Sequence, residues 1–239
     1  TMDHKILQYQ CDHTDYKVFL ASDSAKKGKK PAVIVIHTWF GLNKFAEEQA
    51  EFIASLGYIG YAIDLYGNGQ IAANEKEAAD LMAPLYTNRQ LLRKRLLAAH
   101  AALLQNPEVD PERIAVMGFC FGGLSAVELL KTGAPLKAAI SVHGAFHGTE
   151  QTETAENIQA SLLILTGAKD PIATMQDLEK LQEEMTKASV DWQTHIFASA
   201  GHSFTNKDAH NRDAGYYYDP LAAKRSYILI EQFLKEKFT

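Results

Sequence analysis

The sequence predicts one α/β domain built on a mostly parallel, doubly wound sheet with helices on both faces. Three observations predict it. Short Val/Ile-rich runs recur at 32–37, 59–64, 114–117, 138–143 and 162–166, and unbroken apolar runs of this length suit strands buried on both faces. Helical patterns separate most of them, and strand–helix alternation favours a parallel sheet. One run, at 114–117, breaks into Gly118-Phe119-Cys120-Phe121-Gly122-Gly123 and passes straight into an Ala/Leu-rich helical pattern. At 239 residues the chain suits one sizeable domain, and no repeat, low-complexity tract or linker divides it.

Taken in order, residues 16–20 alternate and read as an edge strand. The cluster Lys26-Lys27-Gly28-Lys29-Lys30 precedes Pro31 and reads as a solvated turn. Pro31 opens the strand at 32–37. Asn43 is a helix N-cap, and the amphipathic helix it starts runs to about 56, with Gly57 as its stop. A buried strand follows at 59–64. Gly67-Asn68-Gly69 then leads through a polar connection to a short helix over 75–81. A longer helix over 88–105 carries Leu91, Leu92, Leu96, Ala99 and Leu103 on one face, and Asn106-Pro107 ends it. After the strand at 114–117 come a helix over 124–131 stopped by Gly133, strands at 138–143 and 162–166, a helix over 175–188 and a strand at 192–197. The last helix starts at Asp219-Pro220, with proline at its first position, and runs to about 237.

Composition narrows the function. Apolar residues make up 46% and charged residues 22%, as in soluble globular proteins. A net charge of −5 argues against nucleic acid or an anionic membrane as the main partner, and no run approaches a membrane span. Two cysteines, Cys11 and Cys120, give neither a disulfide framework nor metal spacing, so two free thiols in the cytoplasm are expected. No His/Asp/Glu spacing resembles a metal site. A small molecule is the expected partner; monomer and dimer are equally open.

The chemistry centres on Cys120. Strand, sharp turn and helix around Gly-x-Cys-x-Gly-Gly make a nucleophile elbow, with the central side chain presented above helix N-terminal amides. The positive end of that helix favours a thiolate. The plainer reading of a cysteine is a small buried hydrophobe. A thiol nucleophile needs a base, and the base an orienting acid. In the chain order nucleophile, acid, histidine, Asp170 falls just behind the strand at 162–166 and His202 just behind the strand at 192–197. Each alone has a plain reading: Asp170 as a turn-former before Pro171, His202 as one of nine histidines. Both stand on the rim where open α/β sheets collect their active sites. An oxyanion needs two donors: the Phe121 amide, next after the nucleophile, and a second from 37–41, where Trp39 is chosen over its neighbour Thr38. His37 and His143 also end strands and read as rim or supporting residues.

These residues resemble the dienelactone hydrolase family of the α/β-hydrolase fold. The resemblance rests on Gly118-Phe119-Cys120-Phe121-Gly122-Gly123, Gly167-Ala168-Lys169-Asp170-Pro171 and Gly201-His202-Ser203-Phe204, with support from Trp39-Phe40-Gly41-Leu42-Asn43 and Ala62-Ile63-Asp64-Leu65-Tyr66-Gly67. It implies a Cys120-His202-Asp170 triad, Trp39 and Phe121 as backbone donors, no cofactor, and hydrolysis of a small ester or lactone. Two positions depart from the family. Thr38 stands where dienelactone-cleaving members carry a glutamate, and Asn206 where they carry a carboxylate-gripping arginine. Arg89 fills the family's other arginine role or is an exposed residue at a helix start. Thr38, Arg89, His143 and Phe204 are the candidate pocket residues. The alternative from another class is a non-catalytic redox-sensing thiol on a hydrolase scaffold, weakened by the lack of a nearby resolving cysteine.

Overall fold

The apolar runs become the inner strands. The computed structural model describes residues 2–239. Its strands are β1 Met2–Cys11, β2 Thr14–Asp23, β3 Lys30–Ile36, β4 Ile59–Ile63, β5 Val109–Phe119, β6 Ala138–Val142, β7 Ser161–Gly167 and β8 Trp192–Phe197. A short ribbon adds β9 His210–Asn211 and β10 Tyr216–Tyr217. The helices are α1 Lys44–Ser55, α2 Glu75–Thr87, α3 Arg89–Leu104, α4 Phe121–Lys131, α5 Met175–Lys187 and α6 Pro220–Phe238. Strand order in the eight-stranded sheet is β1-β2-β4-β3-β5-β6-β7-β8. The β3/β4, β6/β7 and β7/β8 pairs are parallel, while β1/β2 and β2/β4 are antiparallel. The described residues group into two compact units, one ending at Met117 and one beginning at Gly118, so the division falls inside β5.

In the first unit every residue of β3 and β4 is buried. Helix α1 packs on β4 and β2 through Ala46, Ala50, Ile53 and Ala54, and the Asn43 side chain caps it by accepting from the Ala46 amide at 3.2 Å. Asn74 and Asn88 cap α2 and α3 in the same way. Helix α2 continues through Pro84 to Thr87, past the expected stop near 81. The strand expected at the edge, 16–20, lies inside the sheet, because β1 pairs along its whole length outside it. Strand β1 has no buried residue, so ladder hydrogen bonds rather than core packing hold it. No apolar alternation marks such a strand in the sequence.

In the second unit α4 begins directly after Cys120, three residues earlier than expected, and all eleven of its residues are buried. A helix apolar all round belongs in a core, yet Lys131 at its end is also fully buried. Its ammonium donates to the Thr149 carbonyl and to Thr152 Oγ1 (2.8 Å) and pairs with Glu184 of α5. Thr152 Oγ1 in turn donates to Glu128 at 3.2 Å. Lys131→Met strands the carboxylate of Glu184 without its cation, so unfolding in urea is expected to show a loss of about 3–5 kcal/mol. Among the described residues no helix is long and apolar enough to cross a membrane.

Candidate active site

The elbow is a backbone device. Cys120 sits at φ 60°, ψ −117°, a conformation rare for any residue with a side chain. Its N–H donates to the Val142 carbonyl at 3.1 Å, and its C=O accepts from Gly123 (2.9 Å), Leu124 (3.3 Å) and Ala145 (3.3 Å). Those bonds hold the strained turn. Close approach of strand and helix requires glycine at 118, where a Cβ would lie 1.8 Å from the Gly122 carbonyl oxygen. The Cys120 side chain makes no cap bond and is half-buried, so the thiol is left to other partners.

One partner is His202. Its Nε2 lies 3.0 Å from Cys120 Sγ, and its Nδ1 lies 2.8 Å from Asp170 Oδ2. The other carboxylate oxygen of Asp170 accepts the amides of Ile172 (2.8 Å) and Ala173 (3.0 Å), which fixes the carboxylate plane. Burial alone would lower the basicity of His202, but the Cys120 thiolate and Asp170 on its two sides outweigh burial and push it up to about 10. Burial would likewise raise Asp170, and its bonds to His202 and the two amides hold it below the usual carboxylate range. The structure therefore brings Cys120, His202 and Asp170 into one hydrogen-bonded line. Nδ1–H donates to a fixed carboxylate, and Nε2 is available to exchange a proton with sulfur.

The remaining expected residues divide. Phe121 is the first residue of α4, where helix geometry gives an N–H no intrahelical acceptor. Thr38 and Trp39 lie half-buried in the first unit, in a loop that is tied down there. His37, fully buried and kept neutral chiefly by burial, lies 2.5 Å from the Thr38 carbonyl through Nδ1, and its Nε2 accepts the Leu65 amide at 3.0 Å. The Tyr66 hydroxyl donates to the Trp39 carbonyl at 2.7 Å. Asp64 supports that side by accepting the amides of Tyr66, Gly67 and Gly69 at 2.9, 3.0 and 2.8 Å. Asp64 and Tyr66 stand in a motif visible in the sequence, but their role as props for 37–41 was not readable from it. Arg89 folds onto its own helix start, with Nε donating to the Tyr86 carbonyl at 2.7 Å and its guanidinium over the Tyr86 ring.

His143 and Phe204 need correction as pocket residues, because neither has any accessible surface. They pack beneath His202: the His143 ring meets His202 edge-on at 5.6 Å and Phe204 at 5.0 Å. His143 Nε2 bonds Thr205 Oγ1 at 2.8 Å, while its Nδ1 has no partner among the described residues. Burial, with the neighbouring His202 charge, pushes His143 down to about 3, so it is neutral. The unfolded chain takes up that proton near 6.5 and the folded chain only near 3, so stability falls as pH drops through this window. The loss reaches on the order of 4 kcal/mol. Urea melts from pH 7 down to 4 should show this slope in the wild type and a flatter one in His143→Phe.

Relatives agree with this fold. The family model described as the dienelactone hydrolase family matches residues 17–238. The solved structure of m3DLH superposes with a TM-score of 0.93 at 34% identity, covering 100% of this chain and 99% of the other. A dienelactone hydrolase-like promiscuous phosphotriesterase, P91, from metagenomic libraries, gives a TM-score of 0.93 at 33% identity and the same coverage. A Synechocystis protein named provisionally as a carboxymethylenebutenolidase is 30% identical over 194 residues, 74% of this chain and 76% of its own length. The fold is that of the α/β-hydrolases. Within that fold the chain belongs to the dienelactone hydrolase family and is an enzyme of the ester and lactone hydrolase class.

Proposed function

We propose that the protein is a thiol hydrolase cleaving small carboxylic esters or lactones through an acyl-enzyme on Cys120. The observation that carries the reading is the 3.0 Å contact between Cys120 Sγ and a His202 whose other nitrogen is held by Asp170. His202 takes the thiol proton and the thiolate attacks the carbonyl carbon. The oxyanion forms against the Phe121 amide, with the Trp39 amide assigned as second donor from the sequence motif. The C–O bond then breaks, and the Nε2 proton passes to the leaving oxygen. Water next loses a proton to His202 and attacks the thioester carbonyl; the thiolate leaves and the imidazolium is restored. Side chains and backbone amides suffice for every step. A single domain and a cytoplasmic setting belong to the same reading, supported by a family match across 17–238 and by two free thiols.

The test is hydrolysis of short-chain nitrophenyl esters by wild type and Cys120→Ala. Activity lost in the variant supports the reading; equal rates contradict it. Rapid alkylation of Cys120 without hydrolysis would favour the redox-sensing alternative instead. A second reading, attack of the same thiolate on a phosphotriester with loss of the aryl oxide, draws on the full-length likeness to P91. Release of nitrophenol from a diethyl nitrophenyl phosphate, absent in Cys120→Ala, would support it.

A further inference from the structure

The ribbon of β9 and β10 has no part in the steps above, yet it is built onto the histidine. His202 and Tyr216 form a parallel β-bridge, with the His202 amide donating to Gly215 O at 2.7 Å and the Tyr217 amide to His202 O at 3.2 Å. Side chains directly opposite in such a pair lie on the same face. The Tyr216 ring accordingly lies against the His202 imidazole, centroids 5.4 Å apart and planes tilted by 50°. The ribbon is pinned on both sides of this pair. Tyr217 is buried, its hydroxyl donates to Ser199 O at 2.6 Å, and the Arg212 guanidinium covers its ring at 4.3 Å. Gly215, at φ +85°, presses so closely on the Asp170 loop that a Cβ there would lie 2.8 Å from the Pro171 ring. Tyr217 is the anchor, while Tyr216 keeps a half-exposed ring beside the imidazole.

We infer that Tyr216 is the specificity residue for the leaving group, and that it selects esters whose leaving oxygen is carried by an aromatic ring. This rests on the proposed role of His202. The proton on Nε2 must pass to the leaving oxygen across a single hydrogen bond. The group attached to that oxygen is therefore within a few ångströms of the imidazole, where Tyr216 offers an aromatic wall. A phenol ring gains offset or edge-to-face contact with tyrosine beyond simple burial, and a small alkyl group does not.

The experiment compares kcat/KM for phenyl acetate and trifluoroethyl acetate, which share an acyl group and differ in the leaving group. Wild type, Tyr216→Leu, Tyr216→Phe and Cys120→Ala are measured side by side. The phenyl-to-trifluoroethyl ratio is expected to fall about five- to tenfold in Tyr216→Leu and to stay at the wild-type value in Tyr216→Phe, the size expected of one aromatic contact. A ratio within one preparation does not depend on how much of the variant is folded. An unchanged ratio in Tyr216→Leu, whether both rates fall together or neither moves, overturns the inference and leaves the ring as a prop for His202. Wild-type rates retained in Cys120→Ala would instead overturn the thiol mechanism itself.

Discussion

Asp170→Asn is expected to lower kcat by between about a hundredfold and ten-thousandfold, the range lost when a catalytic histidine is held in the wrong tautomer. The reason lies in the second carboxylate oxygen. Asp170 Oδ1 accepts the Ile172 and Ala173 amides, and an asparagine carbonyl keeps both bonds. The new NH2 then faces His202 Nδ1, which must become an acceptor, and the proton moves to Nε2. An imidazole protonated only at Nε2 cannot take the Cys120 proton. The pH profile should change as well. With Asp170 present His202 is pushed up to about 10, so the alkaline limb of kcat/KM is expected near that pH. Without the carboxylate it moves to lower pH. The stability supplied by the raised His202 is complete below about 6.5 and is lost as pH rises through about 10, and the variant has less of it to lose. Steady-state rates across pH 6 to 10.5 on both proteins check both statements. A redox sensor would leave thiol oxidation nearly untouched by the same change.

Gly118→Ala is expected to be the most damaging single-methyl change in the chain. A Cβ at 118 would stand 1.8 Å from the Gly122 carbonyl oxygen, 2.2 Å from its carbon and 2.9 Å from the Gly123 nitrogen. All three are backbone atoms of α4, so no side chain can swing aside. The helix must move off the strand, costing about 3–5 kcal/mol, at the upper end for one substitution. The same movement displaces Cys120 from His202, so activity should disappear even where the variant still folds. A urea melt and a nitrophenyl ester assay on one preparation separate the two losses.

The elbow was legible because its constraint is local. Gly118, Cys120 and the helix that follows are one continuous stretch, and only glycine fits where strand and helix backbones touch. Asp170 was legible through its place behind an unbroken apolar run, the buried β7, and His202 through its place behind the next strand, β8, none of whose residues is buried. Strand β1 was not, since its residues bury nothing and its partner is the strand beside it. Lys131 shows a second limit. A lysine in the last turn of a helix reads as a solvated charge, and only the placement of the Thr149 carbonyl, Thr152 and Glu184 makes it a buried cation. His143 shows a third. Its position at a strand end pointed to the rim of the site, whereas packing against Phe119 and Phe204 puts it underneath His202. Burial of a polar residue depends on partners far along the chain, and periodicity does not carry that information.

The central claim is that Cys120 carries the acyl group. The direct measurement is peptide mass spectrometry of enzyme mixed with nitrophenyl acetate and quenched in acid within the first turnover. An acetyl group on the Cys120 peptide, formed in step with nitrophenol release and absent in His202→Ala, is the predicted result. Nitrophenol released in that first turnover while Cys120 stays unmodified would contradict it.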